Sequence, residues 1–138
     1  MIILDTNVLS ALMHQSPELA VIEWLDQQPR ISIWTSSVTV LEVQYGLQIM
    51  PAGRRRSLLM KAFDALLEKI EHRIAPFDFA AAQQAAGLMT ARRKKGRTVE
   101  LRDTMIAGIA LAHRATLATR NTQHFGDIEV AVVDPWKG

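Results

Sequence analysis

The chain of 138 residues has the length of one domain, and its hydrophobic fraction of 49% is too high for a disordered protein. A formal net charge of +2 excludes a polycation, and the absence of cysteine excludes disulfides, thiolate zinc sites and cysteine nucleophiles. The sequence shows neither a signal peptide nor a run of ~20 apolar residues that could span a membrane, so we expect a cytoplasmic protein.

In chain order, short apolar runs that predict strands alternate with stretches whose apolar residues have helical spacing. The predicted strands cover residues 2–4, 31–34, 72–75, 115–119 and 130–133. The predicted helices cover residues 6–14, 16–28, 38–50, 54–70, 78–93 and 101–114, and a turn or short helical segment covers 121–125. This alternation indicates one α/β domain over residues 1–138, with a mostly parallel sheet covered by helices on both faces.

The first candidate site residue is Asp5, which directly follows the first predicted strand in "MIILDTNVLSAL". Sites in open parallel sheets form beyond the carboxyl ends of the strands, and Asp5 lies at such an end. The simpler interpretation is that Asp5, Thr6 and Asn7 are ordinary turn or helix-capping residues. Other carboxylates that could meet Asp5 are needed to favour a site.

Glu42, in "SSVTVLEVQYGL", is the second candidate. Its helical neighbours Val38, Tyr45 and Ile49 form an apolar stripe, which predicts that Glu42 faces inward. The opposite face of the same helix is also apolar, so an exposed Glu42 paired with a lysine is the alternative.

Asp103, in "VELRDTMIAGIALA", is the third candidate. It begins a stripe formed by Ile106, Ala107 and Ala110, whose small side chains permit close helix packing. The alternative is an acid in the first turn that complements the helix dipole. Glu100 precedes it by one helical turn and could face the same way.

Three carboxylates gathered without partners raise one another's pKa, and a divalent cation removes that cost. Mg²⁺ and Mn²⁺ prefer hard oxygen ligands of this kind. His124 is the only histidine in a suitable position, which excludes the two-histidine helical type of zinc site. The acids together therefore favour a magnesium or manganese site over three unrelated surface residues.

Positive charge is clustered in two runs, at residues 54–56 and at residues 92–97. Such clusters can follow a phosphate backbone, but they are also common on solvated surfaces. We assign the first run to the surface.

Four stretches of the chain resemble the PIN-domain ribonucleases, specifically the VapC or FitB-like toxins of bacterial type II toxin–antitoxin systems. These stretches are "MIILDTNVLSAL", "TSSVTVLEVQYGL", "LRDTMIAGIALAHRATLATRNTQHF" and "VAVVDPW", and together they extend over nearly the whole chain in the family's order. The resemblance implies a three-layer α/β/α fold with a five-stranded, mainly parallel sheet.

The same resemblance implies a metal-dependent endoribonuclease in which Asp5, Glu42 and Asp103 hold Mg²⁺, or Mn²⁺ in its place. A metal-activated water would then hydrolyse a phosphodiester bond of RNA. Thr6 and Asn7 match the polar residues that orient carboxylates and solvent. The implied partners are an inhibiting VapB-like antitoxin and a second copy of the chain in a homodimer.

The chain departs from the family pattern near its C-terminal end. Asn121 and His124 stand where relatives often carry a fourth acid, so we expect Glu100 or Asp127 to supply the missing charge. This departure puts a second metal ion in doubt more than the first.

The basic run that begins at Arg92 is expected to hold phosphates. The predicted RNA-binding residues are Arg93, Lys94, Lys95, Arg97, Arg102 and Arg120.

The main alternative is a PIN-like module that binds nucleic acid without catalysis. A phosphatase of the haloacid-dehalogenase type also places an aspartate after its first strand, but it needs a second one where this chain has Asn7. A receiver-type signalling domain needs paired acids near the first strand and a lysine after the last, and the chain shows neither arrangement.

Overall fold

The computed structural model describes residues 1–138 and has a five-stranded sheet at its centre. The strands are β1 (Ile2–Leu4), β2 (Ile33–Ser36), β3 (Ile74–Ala75), β4 (Thr116–Ala118) and β5 (Val132–Val133). Their order is β3-β2-β1-β4-β5, and every neighbouring pair is parallel. The central position of β1 places the residues that follow it between the ends of β2 and β4.

Six helices and two 3₁₀ turns connect and cover the strands. The helices are α1 (Thr6–Met13), α2 (Leu19–Asp26), α3 (Ser37–Ile49), α4 (Arg54–Lys69), α5 (Phe79–Lys94) and α6 (Leu101–His113). The 3₁₀ turns are Arg30–Ser32 and Thr122–Phe125. No helix combines the length and the apolar character that a bilayer-spanning segment requires.

Two hydrophobic clusters lie on the two faces of the sheet, and β1 contributes to both. Successive side chains of a strand point to opposite faces. Accordingly, Leu4 packs with Val8, Trp24 and Phe63 on one face, and Ile3 packs with the residues of α5 and α6 on the other. The result is the three-layer α/β/α arrangement that the resemblance implies, so the predicted fold is confirmed.

Helices α5 and α6 approach each other closely at Gly108. A Cβ atom added there would lie 2.6 Å from the Ala81 carbonyl oxygen and 2.9 Å from Ala85 Cβ. Real Cβ atoms do not tolerate such distances, so this contact requires glycine. The close packing fixes α6, and with it Asp103, against α5.

The ends of several elements differ from those predicted. β2 begins at residue 33, not 31, because Arg30–Ser32 form a 3₁₀ turn in which Ser32 donates to the Pro29 carbonyl oxygen. α2 begins at Leu19, not at residue 16, because Glu18 is still extended. Asp78 caps α5 and Ser36 caps α3, since each side chain accepts a bond from the backbone N–H three residues later.

Candidate active site

Asp5 is buried at the carboxyl end of the central strand, with 3% of its surface exposed. Its Oδ1 accepts a hydrogen bond from the Thr6 backbone N–H at 2.8 Å and so caps α1. Its Oδ2 accepts a hydrogen bond from the Thr119 hydroxyl at 2.7 Å. Thr119 directly follows β4, the neighbour of β1, so the parallel pairing of these two strands brings the two side chains together.

Thr119 is a site residue that the sequence analysis missed. Its hydroxyl also accepts bonds from Asn7 Nδ2 at 3.3 Å and from the Asn121 backbone N–H at 3.1 Å. Asn7 Oδ1 accepts a bond from the Arg120 backbone N–H at 3.2 Å. The available signal was position, because Thr119 is the last residue of a predicted strand and so lies at the same edge of the sheet as Asp5.

Glu42 reaches the same region through Thr6. The Thr6 hydroxyl donates to Glu42 Oε1 at 3.1 Å and lies 3.1 Å from the Thr39 hydroxyl. The Glu42 side chain is 21% exposed, and Arg102 Nη1 approaches its Oε2 to 3.9 Å. Thr6 therefore links the two acids, because its backbone N–H bonds Asp5 and its hydroxyl bonds Glu42.

The prediction that Glu42 lies on a buried apolar stripe of α3 is wrong. Tyr45 is 59% exposed and Ile49 is 66% exposed, whereas the buried face of α3 carries Val43 and Leu47. Because α3 is apolar on both sides, its pattern does not identify the buried face. The half-buried position of Glu42 follows from its place beside Thr6, not from that stripe.

Asp103 lies in the first turn of α6, and its predicted stripe is confirmed, since Ile106, Ala107 and Ala110 are fully buried. Its side chain is 20% exposed, and its Oδ2 lies 3.1 Å from Nδ1 of His124. The histidine thus occupies a place next to one of the three acids. We call Asp5, Glu42 and Asp103 the acidic site.

The acids of this site influence one another's ionisation. Burial raises the pKa of Asp5, the bonds from Thr119 and Thr6 oppose that rise, and the charge of Asp103 adds to it. Burial also raises the pKa of Glu42, which the Thr6 hydroxyl and Arg102 lower and the charge of Asp5 raises. Both carboxylates are therefore held in surroundings that disfavour their charge.

The donor set fits a hard divalent cation, because it consists of carboxylate, hydroxyl and amide oxygens and the chain has no cysteine. As the side chains stand, however, no group of three or more His, Cys, Asp or Glu residues converges closely enough to hold a metal ion. Glu42 is turned to Thr6 and Asp103 to His124.

The two acids expected to supply a missing charge are engaged elsewhere. Asp127 accepts bonds from Arg92 and lies 3.2 Å from Arg97 Nη1, and the bond from Arg92 is the main reason why its pKa is lowered. Glu100 is exposed and accepts a bond from Arg102 Nε at 2.8 Å, which lowers its pKa. The expectation that Asp127 adds free negative charge is wrong, because two guanidinium groups neutralise it.

The predicted phosphate-binding run divides into buried and exposed residues. Arg92 is 2% exposed and lies within α5, so the expectation that the phosphate-binding run begins there is wrong. Arg97 is half-buried, and its Nη2 donates to the Gln123 carbonyl oxygen. The exposed residues of the run that remain available are Arg93, Lys94 and Lys95.

Two further arginines lie beside the acidic site. Arg102 is placed between Glu100 and Glu42, as described above. Arg120 is exposed, and its guanidinium carbon lies 4.7 Å from the ring centroid of Trp136, in a cation–π contact. Its backbone is tied to Asn7, so its position relative to Asp5 is fixed through Thr119.

Comparison with known proteins identifies the family of this chain. Residues 2–130 match the model of the PIN domain family. The chain is 36% identical over 138 residues to the VapC ribonuclease Y4jK of Sinorhizobium fredii, and 33% identical over 137 residues to Toxin FitB of Neisseria gonorrhoeae, with 99% of each chain covered in both cases. The chain belongs to the PIN domain family.

Solved structures of relatives have the same fold. The crystal structure of FitAcB from Neisseria gonorrhoeae superposes with a TM-score of 0.89 at 33% identity and covers 99% of both chains. VapBC2 from Rickettsia felis, bound to a DNA fragment from the promoter, superposes with a TM-score of 0.80 at 26% identity and covers 97% of this chain and 98% of that one. The predicted resemblance to VapC and FitB-like proteins is confirmed.

Proposed function

We propose that this protein is a metal-dependent endoribonuclease and the toxin of a VapBC-like toxin–antitoxin pair. The observation that carries the proposal is Asp5, a carboxylate that is almost fully buried at the carboxyl end of the central strand and within the influence of Asp103. An isolated buried carboxylate costs stability, and such groups cluster at functional sites. Relatives that match along their whole length are named as a ribonuclease and a toxin.

In this proposal Asp5, Glu42 and Asp103 would hold Mg²⁺, or Mn²⁺ in its place. The bound ion would lower the pKa of a water molecule and offset the charge that develops on the scissile phosphate. Glu42, whose pKa is raised by burial, is the group suited to accept the proton of the attacking water. Thr6 fixes the orientation of that carboxylate through its hydroxyl group.

The reaction is hydrolysis of a phosphodiester bond. The water oxygen forms a bond to phosphorus while the bond from phosphorus to the 3′ oxygen breaks. Glu42 takes the proton of the attacking water and the leaving 3′ oxygen takes one from the solvent, which leaves 5′-phosphate and 3′-hydroxyl ends. Thr119 and Asn7 hold Asp5 and the start of the Arg120–Asn121 segment in place during this step. Asn121 takes part in that network through its backbone and contributes no charge.

RNA would be held by the positive residues that remain exposed around the acidic site. Arg93, Lys94 and Lys95 at the end of α5 are exposed. Contacts of this kind act on the phosphate backbone and do not select a sequence. Arg102 and Arg120 flank the carboxylates and would place the phosphate next to them.

A VapB-like antitoxin and a second copy of the chain are the proposed partners. The solved structures of relatives include FitAcB and VapBC2, whose matching chains are 33% and 26% identical to this chain. A groove between the C-terminal end of α1 and α4 has an apolar floor and carries Arg54 and Arg55 at its side. Its apolar residues include Leu12, Leu58, Leu59 and Ala62.

Replacement of Asp5 by asparagine tests the activity. Asparagine keeps the size of the side chain but removes the charge that would hold the cation. We expect Asp5→Asn to lower Mg²⁺-dependent RNA cleavage by at least about 100-fold, because even residues that only support a metal ligand cost 10–100-fold. Asp64→Asn, on the exposed face of α4, is the matched control and should cleave as the wild type does.

Two outcomes would contradict the proposal. Full cleavage by folded Asp5→Asn would remove Asp5 from the reaction, and a wild-type protein that cleaves no RNA at any Mg²⁺ or Mn²⁺ concentration would remove the activity. The second outcome would favour a PIN-like module that only binds nucleic acid. The amide at Asn121, which takes part through its backbone and brings no charge, favours that alternative. A metal titration separates the two, because a pure binder needs no cation for affinity.

A further inference from the structure

Arg92 is buried at the end of α5, and all three nitrogens of its guanidinium group act as donors. Nε and Nη2 donate to the two carboxylate oxygens of Asp127 at 2.8 and 2.9 Å. Nη1 donates to the Thr104 hydroxyl at 2.9 Å, and Nη2 also donates to the His124 carbonyl oxygen at 3.0 Å. We call this group of four residues the Arg92 clamp.

The clamp holds both sides of one contact in the acidic site. Thr104 is the neighbour of Asp103 in α6, and His124 carries the ring whose Nδ1 lies 3.1 Å from Asp103 Oδ2. One guanidinium group therefore fixes the backbone that carries the histidine and the helical turn that carries the aspartate. Arg97 adds a bond to the carbonyl oxygen of Gln123, so two successive residues of the same turn are held.

Local structure alone does not fix the histidine. The His124 side chain is 43% exposed, and the 3₁₀ turn that carries it has 4 residues. Such short turns have poor hydrogen-bond geometry of their own. A buried arginine with a planar, forked set of donors supplies the rigidity that the turn lacks.

We propose that Arg92 is a positioning residue, which holds His124 against Asp103 so that the carboxylate keeps one orientation in the acidic site. The inference rests on the proposed function, in which Asp103 is one of the acids that would hold the metal ion. In this role Arg92 does not contact RNA. It acts through the contact between His124 and Asp103, whose two sides it holds at the His124 carbonyl oxygen and at the Thr104 hydroxyl.

A buried ion pair can also stabilise a fold without any effect on a site, so the variants must separate the two roles. Arg92→Lys keeps the charge but loses the fork, and Asp127→Asn keeps the shape of the acceptor but loses its charge. Arg73→Lys is the matched control. Arg73 donates to the carbonyl oxygens of Ile33 and Arg30 at 2.8 and 2.7 Å, at the opposite, amino end of the strands.

The first measurement is the NMR contact between the His124 ring and the protons at the start of α6, in the full chain without metal. We expect the contact in the wild type and in Arg73→Lys, and its loss in the folded Arg92→Lys and Asp127→Asn proteins. Persistence of the contact in both variants would overturn the inference. This measurement requires no activity, so its result is independent of whether the nuclease proposal holds.

The second measurement is a double-mutant cycle on RNA cleavage at saturating Mg²⁺. Arg92→Lys and His124→Ala should each lower kcat by about 10-fold to 100-fold, the usual effect of residues that orient a metal ligand, with little change in KM. The double variant should lose no more than the worse single variant, because both changes remove the same contact. Losses that multiply would overturn the inference, since Arg92 would then act independently of His124.

Discussion

The acidic site and the Arg92 clamp lie side by side, and each contains a carboxylate that is largely removed from water. The two carboxylates differ in whether a positive charge compensates them. Asp5 has hydroxyl and amide partners but no guanidinium group, and burial raises its pKa. Asp127 has two guanidinium groups, and its pKa is lowered. Asp127 is thus neutralised by arginines, whereas Asp5 has no arginine or lysine partner, which is what the proposed metal site requires.

Among the tests of this contrast, Arg92→Met should have the largest effect on the free energy of unfolding. Removal of one partner from a buried ion pair typically costs about 3–5 kcal/mol. Arg97 would still compensate part of the charge on Asp127, but methionine also leaves the Thr104 hydroxyl and the His124 carbonyl oxygen without their donor. We expect a loss of this size in the free energy of unfolding, measured by urea denaturation. The control Arg93→Met changes the exposed neighbour in the same helix and should stay within about 0.5 kcal/mol. Equal effects of the two variants would mean that the clamp does not stabilise the fold.

Asp127→Asn tests the sign of the charge effect in the clamp. Because the pKa of Asp127 is lower in the folded protein, its ionised form adds stability above the ordinary carboxylate pKa, and this is lost as the pH falls through the lowered value. The variant should therefore be less stable than the wild type at pH 7, by about 2 kcal/mol for bonds to a charged group. The difference should disappear in acid, and a difference that stays constant with pH would contradict the argument.

Asp5→Asn should change the free energy of unfolding in the opposite direction in the metal-free protein. The pKa of Asp5 is raised in the folded state, so its ionisation costs stability as the pH rises through that value. The variant should be more stable than the wild type at pH 7, by about 1 kcal/mol, as at other sites where function costs stability. The gain should shrink in acid, where Asp5 is protonated in both states, and a less stable variant at pH 7 would show that the negative charge is not a cost.

The smallest expected effect concerns the exposed positive charge next to the clamp. Arg93→Gln with Lys94→Gln should leave stability unchanged and weaken RNA binding. For single-stranded RNA, the slope of log affinity against log salt should become flatter by about 1.4, which corresponds to two lost phosphate contacts. The matched control is Lys61→Gln with Lys69→Gln on α4, which covers the other face of the sheet. An unchanged slope would mean that the end of α5 does not contact RNA.

The sequence was informative where one pattern had one structural solution. The apolar run before Asp5 could only be a short buried strand, and the stripe of Ile106, Ala107 and Ala110 predicted the buried face of α6 correctly. On α3 the same method failed for Tyr45, because apolar residues surround that helix and tertiary packing decides which of them is buried.

The role of Arg92 was missed although the sequence contained a signal for it. Residues 81, 85, 88 and 92 follow one another at helical spacing, and Arg92 extends the stripe that Ala81 and Ala85 begin. Its position at the head of a basic run concealed this pattern, because a run of like charges is usually solvated as a whole. The partner Asp127 could not be predicted, since it lies 35 residues away in an irregular segment.

The bond from the Thr119 hydroxyl to Asp5 joins positions 114 apart in the chain. Parallel pairing of strands so distant in sequence is slow, because a long loop must close before the contact forms. During synthesis on the ribosome, Asp5 emerges early but finds this partner only after nearly the whole polypeptide has been made. An unfinished or prematurely terminated chain therefore lacks an assembled acidic site. The site can form only near the end of translation, long after Asp5 has been synthesised.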